Sequence, residues 1–366
     1  MSRSVATTSP LAEVRRWMDM RHVEAIYVTR PVSIAYLTGF HAEPHERLMA
    51  LVVRRDASTL IVPALEQEKA TKHAGDVAVA AWRDGEDPSA LVADALGPSI
   101  ELGVEKDHLS LHAAEVITTR TGASELIDVG GEIRRLRTIK SGDEIEKLQR
   151  AAAITDDAFV KALARIHAGM SEIDVALILG SIIGELGARL SFDTLVQSGP
   201  NSAMPHLEPS SRRLSRGDFA LMDFGAAHEG YMADSTRMAV IGEPSPHHRE
   251  IHDLVLRAHD AAIGVVRAGV TTGDVDAAAR RVIEDAGHGE HFFHRVGHGL
   301  GLEGHEDPSL DPGSRTVLEA GMVFTIEPGV YLPGFGGVRI EDDVVVEEGG
   351  CRVLTKADRS LHVIAN

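Results

Sequence analysis

The sequence predicts an α+β chain in two domains, the second of them internally duplicated. Three observations carry this. The first third alternates short apolar runs with amphipathic stretches, as a small α/β domain does. A helix-start signature follows at Ser141-Gly142-Asp143-Glu144. From there on a pattern recurs at an offset of 100 residues, and each copy closes with an apolar hairpin.

The elements follow in order. Residues 11–20 have the spacing of an amphipathic helix. Ala25–Val28, Met49–Val53 and Thr59–Val62 are short apolar runs of the strand type, with Asp56-Ala57-Ser58 as a turn between the last two. The small domain is expected to end near Val129-Gly130-Gly131, which gives domains over 1–132 and 138–366. Behind the capping box at Ser141, the residues Ile145, Leu148, Ala152, Thr155, Phe159, Ala162 and Ile166 recur at helical spacing. They predict a long helix with one buried face. Within the repeat, Ala158, Ala162, Ala168, Gly169, Asp174 and Val175 return as Ala258, Ala262, Ala268, Gly269, Asp274 and Val275. In both copies a long helix ends at glycine and Ser171 or Thr271 starts the next one. A duplication of this kind places two helix-rich halves around a pseudo-twofold axis.

Composition narrows the classes of function. Apolar residues make up 43% of the 366, enough for a sizeable core, but aromatics are only 4%. The core must therefore lean on Ala, Val, Ile and Leu. Lys and Arg number 37 against 55 Asp and Glu, a net charge of −18. Such a chain repels nucleic acid and anionic membrane, whose binding needs clustered Lys and Arg. The single cysteine, Cys351, excludes an internal disulfide. No apolar run approaches the ~18 residues of a membrane span, and MSRSVATTSP holds no apolar leader core. A cytoplasmic protein is expected.

The chemistry sits in the hairpins. The first, LMDFGAAHEGYMADSTRM, has its expected turn near His228-Glu229, which sets Asp223 opposite Asp234 with Cβ atoms about 5 Å apart. The second, FTIEPGVYLPGFGGVRIEDD, centres near Gly334 and sets Glu327 opposite Glu341. Facing carboxylates repel unless a cation lies between them, and carboxylates within apolar strands are costly to bury unpaired. One such acid alone would be read as a turn cap or as a partner of Arg237 or Arg339. Two facing pairs point to a metal site.

Histidine supplies the rest. The run HFFHRVGHGLGLEGHEDP holds His291, His294, His298 and His305, and His298 is framed by Gly297 and Gly299, which permit close approach of backbone and ligand. His206 follows Pro205 on an expected loop. Four carboxylates and one imidazole suit two divalent ions, Mn²⁺, Co²⁺ or Zn²⁺, bridged by carboxylates roughly 3.5–4 Å apart. They suit a structural zinc site poorly, since that prefers Cys and His.

These strings resemble the creatinase/prolidase/methionine-aminopeptidase superfamily, the "pita-bread" metallopeptidases, over essentially the whole chain. Within it they are most similar to the proline-specific branch of Xaa-Pro dipeptidases (prolidases) and aminopeptidase P. The run YLTGF at 36–40 resembles a signature of that branch's creatinase-like N-terminal domain, and LRTIKSGDEIEKLQRAA at 136–152 resembles its junction with the catalytic domain. The resemblance implies a pita-bread catalytic domain preceded by a smaller α/β domain. It implies metal ligands at Asp223, Asp234, His298, Glu327 and Glu341, with manganese as the expected metal. Glu327 falls on the family's proton shuttle, His206 and His305 on its substrate-side histidines, and His294 on a further active-site histidine. Leu207 stands where Gly is usual after His206, and Met238 where Thr is common.

The activity so implied is hydrolysis of the bond preceding proline in small Xaa-Pro dipeptides, by a hydroxide bridging two metals. The alternatives are an Xaa-Pro aminopeptidase acting on longer peptides, a non-peptide C–N hydrolase or lyase, and a peptide-binding module. The resemblance also implies a homodimer in which the polar segment HAEPHERL at 41–48 borders the other chain's cleft. Arg47 is then the candidate for a substrate carboxylate, which a guanidinium holds in a bidentate fork.

Overall fold

The computed structural model describes residues 9–98 and 101–365. The chain divides between Arg137 and Thr138 into two compact units. In the first, the apolar runs become a six-stranded mixed sheet in the order Ala78–Trp82, Ser58–Pro63, Ala50–Arg54, Ala25–Val28, Glu101–Val104, Glu125–Asp128. Alternation along Ala25–Val28 sends Ile26 and Val28 into one core and Ala25 and Tyr27 into another. Both faces are covered. Val14, Trp17 and Met18 of the helix Pro10–Arg21 pack on the first, and Val92 and Leu96 of the helix Pro88–Leu96 on the second. Each such apolar side chain contributes about 1.5–3 kcal/mol by leaving water. Gly130-Gly131 lies near the end of this unit. It opens the helix Gly130–Thr138, because the Asp128 carboxylate accepts from Gly130 N at 3.1 Å and starts the turn.

The second unit is α+β and duplicated. The helices Gly142–Leu163 and Glu172–Glu185 of its first half correspond to Pro246–Val265 and Thr272–Asp285 of its second. All four start at capping boxes, on Ser141, Ser171, Ser245 and Thr271. The likeness extends to single backbone bonds. Gly169 and Gly269 hold φ of 85° and 89°, conformations open to glycine, and donate to Leu214 O and Leu318 O, each at 2.9 Å. The first half packs Phe159, Val175, Leu179 and Phe224 into one core. The second packs Val255, Val275, Ala279 and Phe324 into the equivalent one.

Against these helices lie two sheets. The first has the order His362–Ile364, Ser235–Ile241, Phe219–Phe224, Leu195–Ser198. The second has Glu306–Ser309, His298–Gly299, Val323–Ile326, Asp342–Glu347, Gly350–Val353. The predicted acids sit where the hairpins of these sheets meet. Among the described residues no helix is long and apolar enough to cross a membrane.

Candidate active site

The first hairpin turns one residue later than its apolar pattern suggests. Glu229 and Gly230 both have positive φ, 49° and 85°, and His228 pairs with Tyr231. That is the left-handed pair of a two-residue hairpin turn. The register therefore pairs Asp223 with Thr236, not with Asp234. The expected direct opposition of Asp223 and Asp234 is corrected to a diagonal one. A slip of two positions keeps both carboxylates on the same face. Position 225 must be glycine, because a Cβ there would lie 1.8 Å from Ala233 O. In the second hairpin Ile326 pairs with Asp342 and Gly329 with Arg339. Glu327 and Glu341, between those pairs, face each other as the sequence predicts.

These acids converge on His298. Ligand atoms of Asp234, His298 and Glu341 all lie within 4.8 Å of one another. His298 Nε2 is 3.3 Å from Glu327 Oε1 and 3.9 Å from Asp234 Oδ2. The flanking glycines are required by crowding: a Cβ at 297 would lie 1.9 Å from Thr325 O, and one at 299 would lie 2.2 Å from Asp307 O. Neighbouring strand backbone thus packs directly against the residues on either side of His298.

The electrostatics show a site short of positive charge. Burial pushes the Asp234 and Glu341 carboxyls well above the usual range, and the neighbouring carboxylates push them further. Burial also raises Asp223, with Arg339 opposing. Burial works against the Glu327 carboxylate too, but His298, His294 and Arg339 outweigh it and hold this group below its ordinary value. One guanidinium, that of Arg339, reaches into the cluster: it donates from Nη2 to Asp223 Oδ2 and from Nε to Thr236 Oγ1 at 2.9 Å. Asp223 Oδ1 and Asp234 Oδ1 are buried with no hydrogen-bond partner. Buried orphaned oxygens beside raised carboxyls, with one imidazole among them, form a donor set that fits divalent cations.

The cluster opens into a cavity of about 1060 Å³. His206, His294 and His305 line it. The His305 ring stacks on His298 with centroids 3.8 Å apart and planes at 28°. Burial first, and then His298, push its pKa down to about 4. His294 Nε2 is 3.0 Å from the Tyr331 hydroxyl, which also accepts from Arg339 Nη1 at 3.2 Å. Phe192, Leu195, Met204, Leu207 and Phe293 give the cavity an apolar wall. His291 is not among its lining residues and lies 3.8 Å from Glu290.

Eight of the nine predicted site residues thus share one cavity in the second unit. Arg47 belongs to the first unit. Its guanidinium already makes the bidentate fork expected for a substrate, but with Asp84: Nε to Oδ1 and Nη2 to Oδ2, both at 3.0 Å. The sequence reading weighed Arg339 only as a lone partner and missed Tyr331 and Thr236. Arg339 stands two residues before Glu341, on the same strand face, which is the one local signal available. The Thr236 hydroxyl donates to Glu341 Oε2 across more than a hundred residues of sequence, and nothing local marks it.

Comparison with known proteins fits this geometry. The profile of metallopeptidase family M24 matches residues 146–348, and that of the creatinase/prolidase N-terminal domain matches residues 10–139. The chain is 39% identical to an Xaa-Pro dipeptidase of Lactobacillus helveticus, over 97% of this chain and 98% of that one. It superposes on an Xaa-Pro dipeptidase from Bacillus anthracis with a TM-score of 0.90 at 36% identity, covering 97% of this chain and 99% of the other. An X-Pro aminopeptidase from Thermotoga maritima gives 0.87 at 34%, covering 95% and 100%. With its pita-bread catalytic unit behind a creatinase-type N-terminal domain, the chain belongs to metallopeptidase family M24, in the creatinase/prolidase branch, and is a peptidase.

Proposed function

We propose that the protein hydrolyses the peptide bond preceding proline, in Xaa-Pro dipeptides, at a two-metal centre. The observation that carries this is the buried carboxylate cluster, with orphaned oxygens on Asp223 and Asp234 and too little positive charge nearby. Asp223, Asp234, His298, Glu327 and Glu341 are the proposed ligands. Manganese is the proposed metal, with cobalt or zinc as substitutes. When bound, such ions polarise the scissile carbonyl and acidify water.

The remaining steps belong to the chain's own residues. Glu327 Oε1 is engaged by the Thr325 hydroxyl at 3.2 Å and by His298 Nε2 at 3.3 Å. Its Oε2 is the oxygen that carries a proton from water to the leaving proline nitrogen. His206 and His305 flank the substrate as donors to its carbonyl or terminal groups. His294, steered by Tyr331, completes that side. The apolar wall shields the reacting bond from bulk water.

A second reading, an Xaa-Pro aminopeptidase, is favoured by one observation: the cavity of about 1060 Å³ exceeds what a dipeptide fills. The similarity to an X-Pro aminopeptidase over 95% of the chain supports it as well. The proposal extends to a cytoplasmic homodimer in which segment 41–48 borders the partner's cavity. There Arg47 takes a substrate carboxylate only by exchanging Asp84 for it. The deciding experiment compares turnover of Ala-Pro with that of Ala-Pro-Ala by manganese-loaded protein. Faster cleavage of the dipeptide supports the first reading. Cleavage of the tripeptide alone supports the second, and cleavage of neither overturns both.

A further inference from the structure

His206 is exposed, yet the segment that carries it is gripped from below by two fully buried side chains that no ligand requires. The chain leaves the strand Leu195–Ser198, makes a short helical turn over Gly199–Ala203, passes His206 and returns at Ser210. The carboxylate of Glu172, on the first turn of the helix Glu172–Glu185, ties both ends of that excursion together. Its Oε1 accepts from Ser198 N at 2.7 Å, Ser198 Oγ at 2.8 Å and Asn201 Nδ2 at 3.0 Å. Its Oε2 accepts from Ser210 N at 3.0 Å, Ser210 Oγ at 2.7 Å and Asn201 Nδ2 at 3.2 Å. In between, Gln197 Nε2 donates to Pro205 O at 3.1 Å and Leu207 O at 2.8 Å, the carbonyls on either side of His206.

The internal duplication repeats this backbone in its second half without these groups. Glu172 N bonds Arg212 O at 3.0 Å, and its counterpart Thr272 N bonds Thr316 O at 2.9 Å. The backbone is repeated, but where the Glu172 carboxylate accepts six bonds from the segment, the Thr272 hydroxyl makes one, to Ser314 Oγ at 2.7 Å. Gln197 is just as particular. Ser198 pairs with Ala220, three residues before Asp223, and Gly299 pairs with Phe324, three before Glu327. Gln197 therefore occupies in the first half the strand position that His298 occupies in the second. The second half spends that position on the cation cluster, and the first half spends it on holding the His206 peptide.

We propose that Gln197 and Glu172 are positioning residues that fix His206 over the cavity. The inference rests on the reading of His206 as a substrate-side group. Bonds to a buried carboxylate are strong, and a group displaced by about 1 Å loses up to ~10² in rate.

The test is a double-mutant cycle on the metal-loaded full chain, with Gln197→Met, His206→Ala and their combination, reading kcat, KM and metal content with Ala-Pro. Methionine keeps the volume and removes the donor. The expected result is a loss of about 10-fold in kcat for Gln197→Met, with wild-type metal content and less than about twofold further loss when it is added to His206→Ala. An equal loss in both backgrounds means Gln197 acts through the fold and overturns the inference, as does full activity of Gln197→Met beside a slow His206→Ala. Full activity of His206→Ala removes the role of His206 itself, and the inference with it. The half-buried Asn201→Ala, which strips two contacts from Glu172, repeats the cycle if Gln197→Met does not fold. It must show the same non-additivity.

Discussion

The Thr236 hydroxyl lies 2.6 Å from Glu341 Oε2 and donates to it, at the strand position directly opposite Asp223. Thr236 is fully buried and also accepts from Arg339 Nε at 2.9 Å. One hydroxyl thus sets the orientation of a carboxylate from the second hairpin using a strand of the first. Outer partners of this kind typically tune metal affinity about 10–100-fold. Thr236→Val, which keeps the shape and loses the donor, should weaken manganese binding by that factor in a chelator competition while leaving the fold intact. Unchanged affinity would show that Glu341 is oriented by other contacts.

Crowding around His298 gives a stability prediction. Gly297→Ala would place a methyl 1.9 Å from Thr325 O, a backbone atom that cannot step aside without breaking the sheet. A loss of about 3 kcal/mol or more is expected in urea unfolding, at the upper end for an overpacked site. Gly304→Ala, whose nearest neighbour is Met232 Sδ at 4.0 Å, should stay within about 0.5 kcal/mol of wild type. Equal effects from the two would mean that the strands around His298 part more easily than this packing allows.

Glu105 of the first unit gives a pH dependence. Burial pushes its carboxyl above the usual value of 4.5, opposed by the Ser33 hydroxyl, which donates to Oε1 at 2.6 Å. Above pH 4.5 the unfolded chain has released this proton while the folded chain still holds it. The unfolded state therefore binds fewer protons, and stability falls as pH rises through the window between 4.5 and the raised folded value. Glu105→Gln should remove that part of the slope. Unfolding free energies of both proteins from pH 4 to 7 provide the check, and identical slopes would contradict it.

The helix starts at Ser141, Ser171 and Thr271 were legible because each is a local signal, and the structure gives all three a capping box, a hydroxyl followed three residues later by an acid. The second hairpin was legible because its register holds on both sides of Glu327 and Glu341. The first hairpin was misread by two positions. Apolar alternation cannot tell a turn at His228-Glu229 from one at Glu229-Gly230, since both put the same residues on the same face. Only the pair of left-handed residues distinguishes them. Single acids near Arg237 or Arg339 were open to a salt-bridge reading, and both arginines do pair with carboxylates. Arg237 binds Asp342 at 2.6 Å in the core, and Arg339 binds Asp223 within the cavity. Contacts of this reach, including the grip of Glu172 on Ser210, leave no periodic trace in a sequence.

Metal content measured together with turnover tests the central claim most directly. Elemental analysis of the manganese-loaded protein, of Asp223→Ala and of Glu341→Ala should be paired with hydrolysis of Ala-Pro by each, with circular dichroism to confirm the fold. The account predicts about two ions per wild-type chain, and in each variant a loss of bound metal and of activity with the helices and strands retained. Full hydrolysis of Ala-Pro by a folded, metal-free wild-type preparation would contradict it.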